Sequence, residues 1–157
     1  MNRSSFEEPA ILLIPMVLVL IALSACSSAS FSKPAQPQLP GSQWELASFG
    51  SAGEQVPVAP SAKPTLLFPE GDKLNGSGGC NSFGGTYTVD GNKIAVSRLA
   101  STLKACADPD LMAQEARYLA ALQKASTYSI EKAGGTIRID YDGNKGALNF
   151  VRPEHRP

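Results

Sequence analysis

Leu74–Cys106 reads LNGSGGCNSFGGTYTVDGNKIAVSRLASTLKAC, and its punctuation decides the fold class. Phe83–Val89 reads as a strand that runs into Asp90-Gly91-Asn92, a tight hairpin turn, because Gly and Asn tolerate positive φ. Beyond the turn, Ile94 and Val96 alternate with polar neighbours over Lys93–Ser97, the period-two pattern of a half-buried strand. Leu99–Leu103 follows. Gly76, Gly78 and Gly79 permit positive φ or close backbone packing. Asn81 can hold a turn through its own side chain.

The flanks extend this pattern. Ser42–Phe49 alternates Trp44, Leu46 and Ala47/Phe49 as a first strand, and Gly50–Lys63 is a Pro- and Gly-bearing loop. Thr65–Phe68 is a short buried strand stopped by Pro69, and a turn at Glu70-Gly71-Asp72 leads to Lys73–Gly76. One helix is expected after Ala107. Asp108 is its N-cap and Pro109 its first residue. Leu111, Met112, Ala116, Leu119 and Leu122 form its apolar stripe, and it ends near Lys124 or Ala125. Thr127–Glu131, Thr136–Tyr141 and Ala147–Val151 close the chain as strands. Their turns are Ala133-Gly134-Gly135 and Asp142-Gly143-Asn144. Short strands, hairpins and one late helix make an α+β domain. A doubly wound parallel sheet would need a covering element for every crossover.

The whole chain has 157 residues, enough for one domain. Fourteen basic and 14 acidic residues cancel, which excludes a strongly basic nucleic-acid binder and an acidic disordered tail. The basic residues are scattered without aromatic interleaving, so no nucleic-acid groove is expected.

Residues 1–25 read as an address rather than as structure. Arg3 supplies a positive start, against Glu7 and Glu8. The uncharged run Ala10–Ala25 has 16 residues, short of the roughly 20 of a spanning helix. It ends in Leu23-Ser24-Ala25-Cys26, which resembles the lipobox of bacterial lipoprotein signal peptides. The resemblance implies cleavage before Cys26, acylation of its thiol, and attachment to the membrane through N-terminal lipid. Ser27 in place of Asp implies the outer membrane, facing the periplasm. Ser27–Pro40, with four Ser and three Pro, reads as a flexible tether, and residues 152–157 as a tail.

Once Cys26 is claimed by lipid, Cys80 and Cys106 remain. In an oxidising envelope such a pair usually bridges. Two buried thiols are the alternative, and a metal site would lack further ligands, because His155 is the one His and sits in the tail.

The region 41–151 resembles the META domain family, that of the HslJ-like heat-shock lipoproteins. The matching residues are Trp44 and Leu46, Leu67-Phe68, Gly78-Gly79-Cys80-Asn81, Gly85 and Tyr87, Ile94–Val96, Thr102–Cys106, and Leu148-Asn149-Phe150. Met112, Glu115, Leu119 and Leu122 match the helix pattern M..E...L..L. The resemblance implies a small antiparallel sheet, curled or barrel-like, packed against one helix. It implies a context of envelope stress and antibiotic tolerance, and no reaction. Glu115, on or beside the apolar stripe, is expected to pair with backbone N–H groups or with Arg98, Lys104 or Arg117. A functional carboxylate is the alternative.

Catalytic patterns fail on context. Ser101-Thr102-Leu103-Lys104 matches S-x-x-K but precedes the helix instead of opening it, and the chain lacks S-D-N and K-T-G. Asp140, Asp142 and Asn144 begin like a calcium loop, but Lys145 stands where Gly is needed and Val151 where Glu is needed. No cofactor, metal or catalytic residue is expected. The expectation is a monomeric, lipid-anchored, non-enzymatic envelope protein that acts by contact with a protein partner. The rival is a periplasmic carrier or chaperone holding an apolar ligand inside a partly open barrel.

Overall fold

The computed structural model describes residues 39–59, 61–131 and 135–153. The signal segment, Cys26, most of the tether and His155 lie outside them. The strands are β1 (Ser42–Ser51), β2 (Glu54–Pro57), β3 (Thr65–Phe68), β4 (Lys73–Ser77), β5 (Ser82–Asp90), β6 (Lys93–Ser101), β7 (Ala125–Glu131), β8 (Thr136–Tyr141) and β9 (Gly146–Val151). The helix α1 (Pro109–Gln123) enters between β6 and β7.

Every pairing is antiparallel, and the order β1-β3-β4-β5-β6-β7-β8-β9 returns to β1. These eight strands therefore close into a barrel, each with two partners, while β2 pairs with β1 alone. β1 is long enough to serve three partners. Its first half pairs with β3, its second half with β2 on that same edge, and β9 runs along the other edge. The thinnest seam is β6–β7, with Lys93↔Thr127 in register and the Tyr128 N–H donating to the Asn92 carbonyl at 2.8 Å.

β2 is a correction to the sequence reading, which leaves Gly50–Lys63 as loop. Its burial is slight and its strand is four residues long, so no apolar period marks it. What holds it is polar. Gln55 Nε2 donates to the carbonyls of Gly50 and Ser51, and Gln55 Oε1 accepts from Asn149 Nδ2 at 2.7 Å. The β6 strand also runs on to Ser101 past the expected break at Ser97. Gly85 faces Arg98 and Leu99 at a register shift, and Arg98 takes φ 53°. That bulge explains the lost alternation.

The barrel interior is filled by side chains that alternate inward: Trp44 and Leu46, Leu66 and Phe68, Ile137 and Ile139, Leu148 and Phe150. Asp108 caps α1 by accepting the N–H of Asp110 at 2.9 Å and of Leu111 at 3.3 Å. The buried face of α1 is Gln114, Glu115, Tyr118, Ala121 and Leu122. This differs from the expected stripe: Met112 is 41% exposed and Ala116 is exposed. The helix is turned so that Tyr118 enters the core, edge-on to Phe83 at 5.7 Å and to Phe150 at 6.2 Å. Two polar residues are buried with it because backbone groups await them. Among the described residues no helix is long and apolar enough to cross a membrane.

Candidate functional site

Three segments meet at the first half of α1: the β4–β5 connection Gly78–Asn81, the end of β6 with Thr102–Cys106, and the helix itself. The connection is a tight turn closed by the Gly78 N–H donating to the Asn81 carbonyl at 2.8 Å. Gly79 holds φ 114°, a conformation that L side chains rarely adopt. Such a turn leaves two N–H groups, of Cys80 and Asn81, pointing at the helix with no strand to receive them.

Glu115 receives both. Its Oε2 accepts the Asn81 N–H at 2.6 Å and the Cys80 N–H at 3.0 Å, and its Oε1 accepts from Asn81 Nδ2 at 2.7 Å. Asn81 then reaches the opposite way. Its Oδ1 accepts the Thr102 hydroxyl at 2.8 Å and the Lys104 N–H at 2.7 Å. Its second amide hydrogen faces the Lys104 carbonyl at 3.4 Å. Asn81 and Glu115 are both buried. A disulfide from Cys80 to Cys106, with Cα atoms 6.2 Å apart, ties the same two segments covalently.

The sequence-predicted residues Gly78, Gly79, Cys80, Asn81, Thr102, Cys106 and Glu115 are thus one constellation. Trp44, Gly85 and Tyr87 are not part of it. Trp44 lies wholly inside the barrel, with Nε1–H donating to Ser42 Oγ at 2.7 Å and the Arg152 guanidinium 4.8 Å from its ring centroid. Gly85 sits at the β5–β6 bulge, where a Cβ would come 2.9 Å from the Ser97 carbonyl oxygen. Tyr87 packs edge-on to Phe68 at 4.9 Å. Burial first, then Tyr128, Asp72 and Glu70, push its phenol above the ordinary value.

The residues that sequence reasoning missed are Gln114 and Tyr118. Gln114 Oε1 accepts the Ala59 N–H at 3.0 Å, and Tyr118 OH donates to the Thr65 carbonyl at 3.2 Å. Their signal was spacing: 114, 118 and 122 share a helix face, but a polar residue leading it hides the stripe from an apolar count.

Chemically, the constellation is closed on itself. A carboxylate has about four acceptor positions, and three are used here by N–H groups. Both oxygen lone pairs and both amide hydrogens of Asn81 are directed at neighbours. Asn81 and Glu115 themselves border an open depression of about 330 Å³, together with Thr102, Leu103, Lys104, Met112 and Leu119. Leu103 is 96% exposed at its edge. Ser101 ends a strand and Lys104 follows in a loop, so the S-x-x-K spacing does not bring the hydroxyl onto a helix turn beneath the amine. Asp140 accepts from Arg138 at 2.8 Å and from the Thr127 hydroxyl at 3.2 Å. Asp142 and Asn144 take positive φ in the β8–β9 turn. Among the described residues, no group of three His, Cys, Asp or Glu could hold a metal ion.

The META domain model matches residues 37–154. Among solved structures, an NMR structure of a protein from Burkholderia xenovorans is 26% identical. The match covers 75% of this chain and 85% of that one, with a TM-score of 0.64. A crystal structure of a DUF4847 family protein from Bacteroides vulgatus ATCC 8482 is 14% identical, over 73% of this chain and 94% of that one, with a TM-score of 0.54. That likeness concerns the fold alone. No curated protein matches the chain.

Proposed function

The chain belongs to the META domain family, and from that premise we propose that it is a lipid-anchored envelope protein whose domain works by protein contact and not by catalysis. The observation that carries the non-catalytic reading is the closure of the Glu115–Asn81 constellation. The residues that resemble the family's motif direct their polar groups at each other and at backbone. A catalytic carboxylate must instead reach a proton on a substrate.

The anchor rests on Leu23-Ser24-Ala25-Cys26 at the end of an uncharged run, followed by a Ser/Pro tether. Two or more acyl chains at Cys26 give stable attachment. The tether, at most roughly 46 to 50 Å when extended, would let a monomeric domain sample partners near the membrane. The outer membrane, its periplasmic face, and a role in envelope stress or antibiotic tolerance complete the proposal. The carrier alternative has less support, because Trp44, Phe68, Tyr118 and Phe150 occupy the space a ligand would need.

Intact mass of the protein extracted from membranes, alkylated with and without prior reduction, tests the address. The expected mass is residues 26–157 plus acyl chains, with two thiols appearing only after reduction. An unprocessed chain with free thiols would overturn it. Deletion of the gene tests the role: loss of tolerance to envelope stress is expected, and an unaltered cell with no cross-linked envelope partner counts against it.

A further inference from the structure

Toward the C-terminal end of α1, Arg117, Ala120, Ala121 and Lys124 recur at i, i+3, i+4 and i+7. They form one wall of an open depression of about 280 Å³. Phe49 and Gly50 of β1, Val56 of β2 and Tyr141 of β8 complete it. The volume is near twice the roughly 150 Å³ of an apolar cavity that admits benzene. The floor is apolar, since Phe49 and Ala121 are core residues. Two cations line it. The Arg117 guanidinium lies 5.5 Å from the Phe49 ring centroid. Lys124 caps the helix two turns on, about 10 Å along the axis. Neither has a carboxylate within 4 Å among the described residues. Glu54 pairs across the hairpin with Ser51 and is not part of the wall.

An apolar floor beside two uncompensated cations complements one ligand chemistry. We propose that this depression binds a small amphipathic anion, with an aryl or short alkyl group on Phe49 and Ala121 and a carboxylate or sulfonate between Arg117 and Lys124. The size selects a free molecule, because the space holds a ring system or a short chain and not the paired acyl chains of a phospholipid. The site lies outside the barrel, between α1 and the β1–β2 hairpin, and is independent of the contact role proposed above. It also gives β2 a purpose: the hairpin supplies the Val56 wall that β1 alone lacks.

The test uses two probes that differ by one sulfonate, 1-anilinonaphthalene-8-sulfonate and neutral N-phenyl-1-naphthylamine. They are titrated into the full chain carrying Cys26→Ser. Saturable binding of the sulfonate at least tenfold tighter than the neutral probe is expected. Ala120→Trp should abolish it, and Met112→Trp, in the depression beside Glu115 and about two turns away, should leave it unchanged. Arg117→Glu with Lys124→Glu should reduce the sulfonate to the neutral probe's affinity; Arg117→Gln with Lys124→Gln serves if the reversal unfolds the protein. Equal affinity for the two probes, or sulfonate binding untouched by Ala120→Trp, overturns the proposal. So does cosedimentation with phosphatidylglycerol vesicles through the same two cations without sulfonate binding, which would assign them to a lipid surface.

Discussion

Glu115 occupies the space that a side chain on residue 78 would need. A Cβ placed on Gly78 would lie 2.4 Å from both Cγ and Oε2 of Glu115. The glycine and the carboxylate are therefore one device: the first gives the room, the second fills it and takes up two N–H groups of the turn. Gly78→Ala should displace the carboxylate and destabilise the domain by about 1–3 kcal/mol, the usual range for overpacking. Thermal melting followed by circular dichroism would show a midpoint lower by several degrees. An unchanged midpoint would mean that the helix yields freely and that the constellation is not a rigid part of the fold.

The Asn81–Glu115 pair should behave as a unit. Glu115→Gln keeps the size but turns an amide hydrogen-bearing nitrogen toward N–H donors, so a loss of about 1.5–3 kcal/mol is expected, as for hydrogen bonds to a charged group. Asn81→Ala removes the link to Thr102 and Lys104 as well. The double variant should cost less than the sum of the singles, with a coupling of about 0.5–3 kcal/mol. Additive losses in denaturant titrations would show that the two side chains act separately. If Glu115→Gln left stability intact while abolishing a partner cross-link, the carboxylate would have to be reassigned from the fold to a binding surface.

What was legible in the sequence was whatever the local pattern enforces. The hairpin at Asp90-Gly91-Asn92, the Asp108 cap with Pro109, and the strands around Trp44, Leu66 and Leu148 all follow from turn chemistry or from period-two burial. The family motif marks Asn81, Thr102 and Glu115, but not their contact. They lie 21 and 34 residues apart in the chain, and no period spans that distance. β2 was hidden because Gln55 and Asn149, not apolar side chains, attach it. The buried helix face was misplaced by counting apolar residues alone, because Gln114 and Glu115 are buried to satisfy backbone N–H groups.

The Cys80–Cys106 disulfide spans the same gap as the Asn81 side chain, so the two tethers are partly redundant. Closing a loop of 27 residues is worth about 3.5 kcal/mol in the chain-entropy model. Cys80→Ala with Cys106→Ala should therefore lower stability by about 2–4 kcal/mol without unfolding the domain, because Asn81 still holds Lys104. The double variant combined with Asn81→Ala should be far less stable than either alone. Melting curves of the four proteins decide the point. Complete unfolding of the cysteine variant by itself would show that the disulfide is the indispensable tether.

Tyr118 is the most deeply buried ionisable group among the described residues, and its burial pushes the phenol well above the ordinary value near 10. An unfolded chain ionises its tyrosines around pH 10. Above that pH the unfolded state has given up a proton that the native state keeps, so unfolding is favoured and stability falls as pH rises. Below it both states hold the proton and Tyr118 contributes no pH dependence. Tyr118→Phe removes the hydrogen bond to the Thr65 carbonyl, a loss of about 0.5–1.5 kcal/mol at neutral pH. It should also reduce the alkaline slope by one proton, leaving the smaller contribution of Tyr87. Tyr118→Ala, which empties the space between Phe83 and Phe150, should cost about 3–5 kcal/mol at neutral pH and lose the same proton's worth of alkaline slope. Urea titrations of the three proteins between pH 7 and 11 separate these effects. An alkaline slope unchanged in Tyr118→Phe would show that the phenol reaches solvent and that α1 is not seated in the barrel as described.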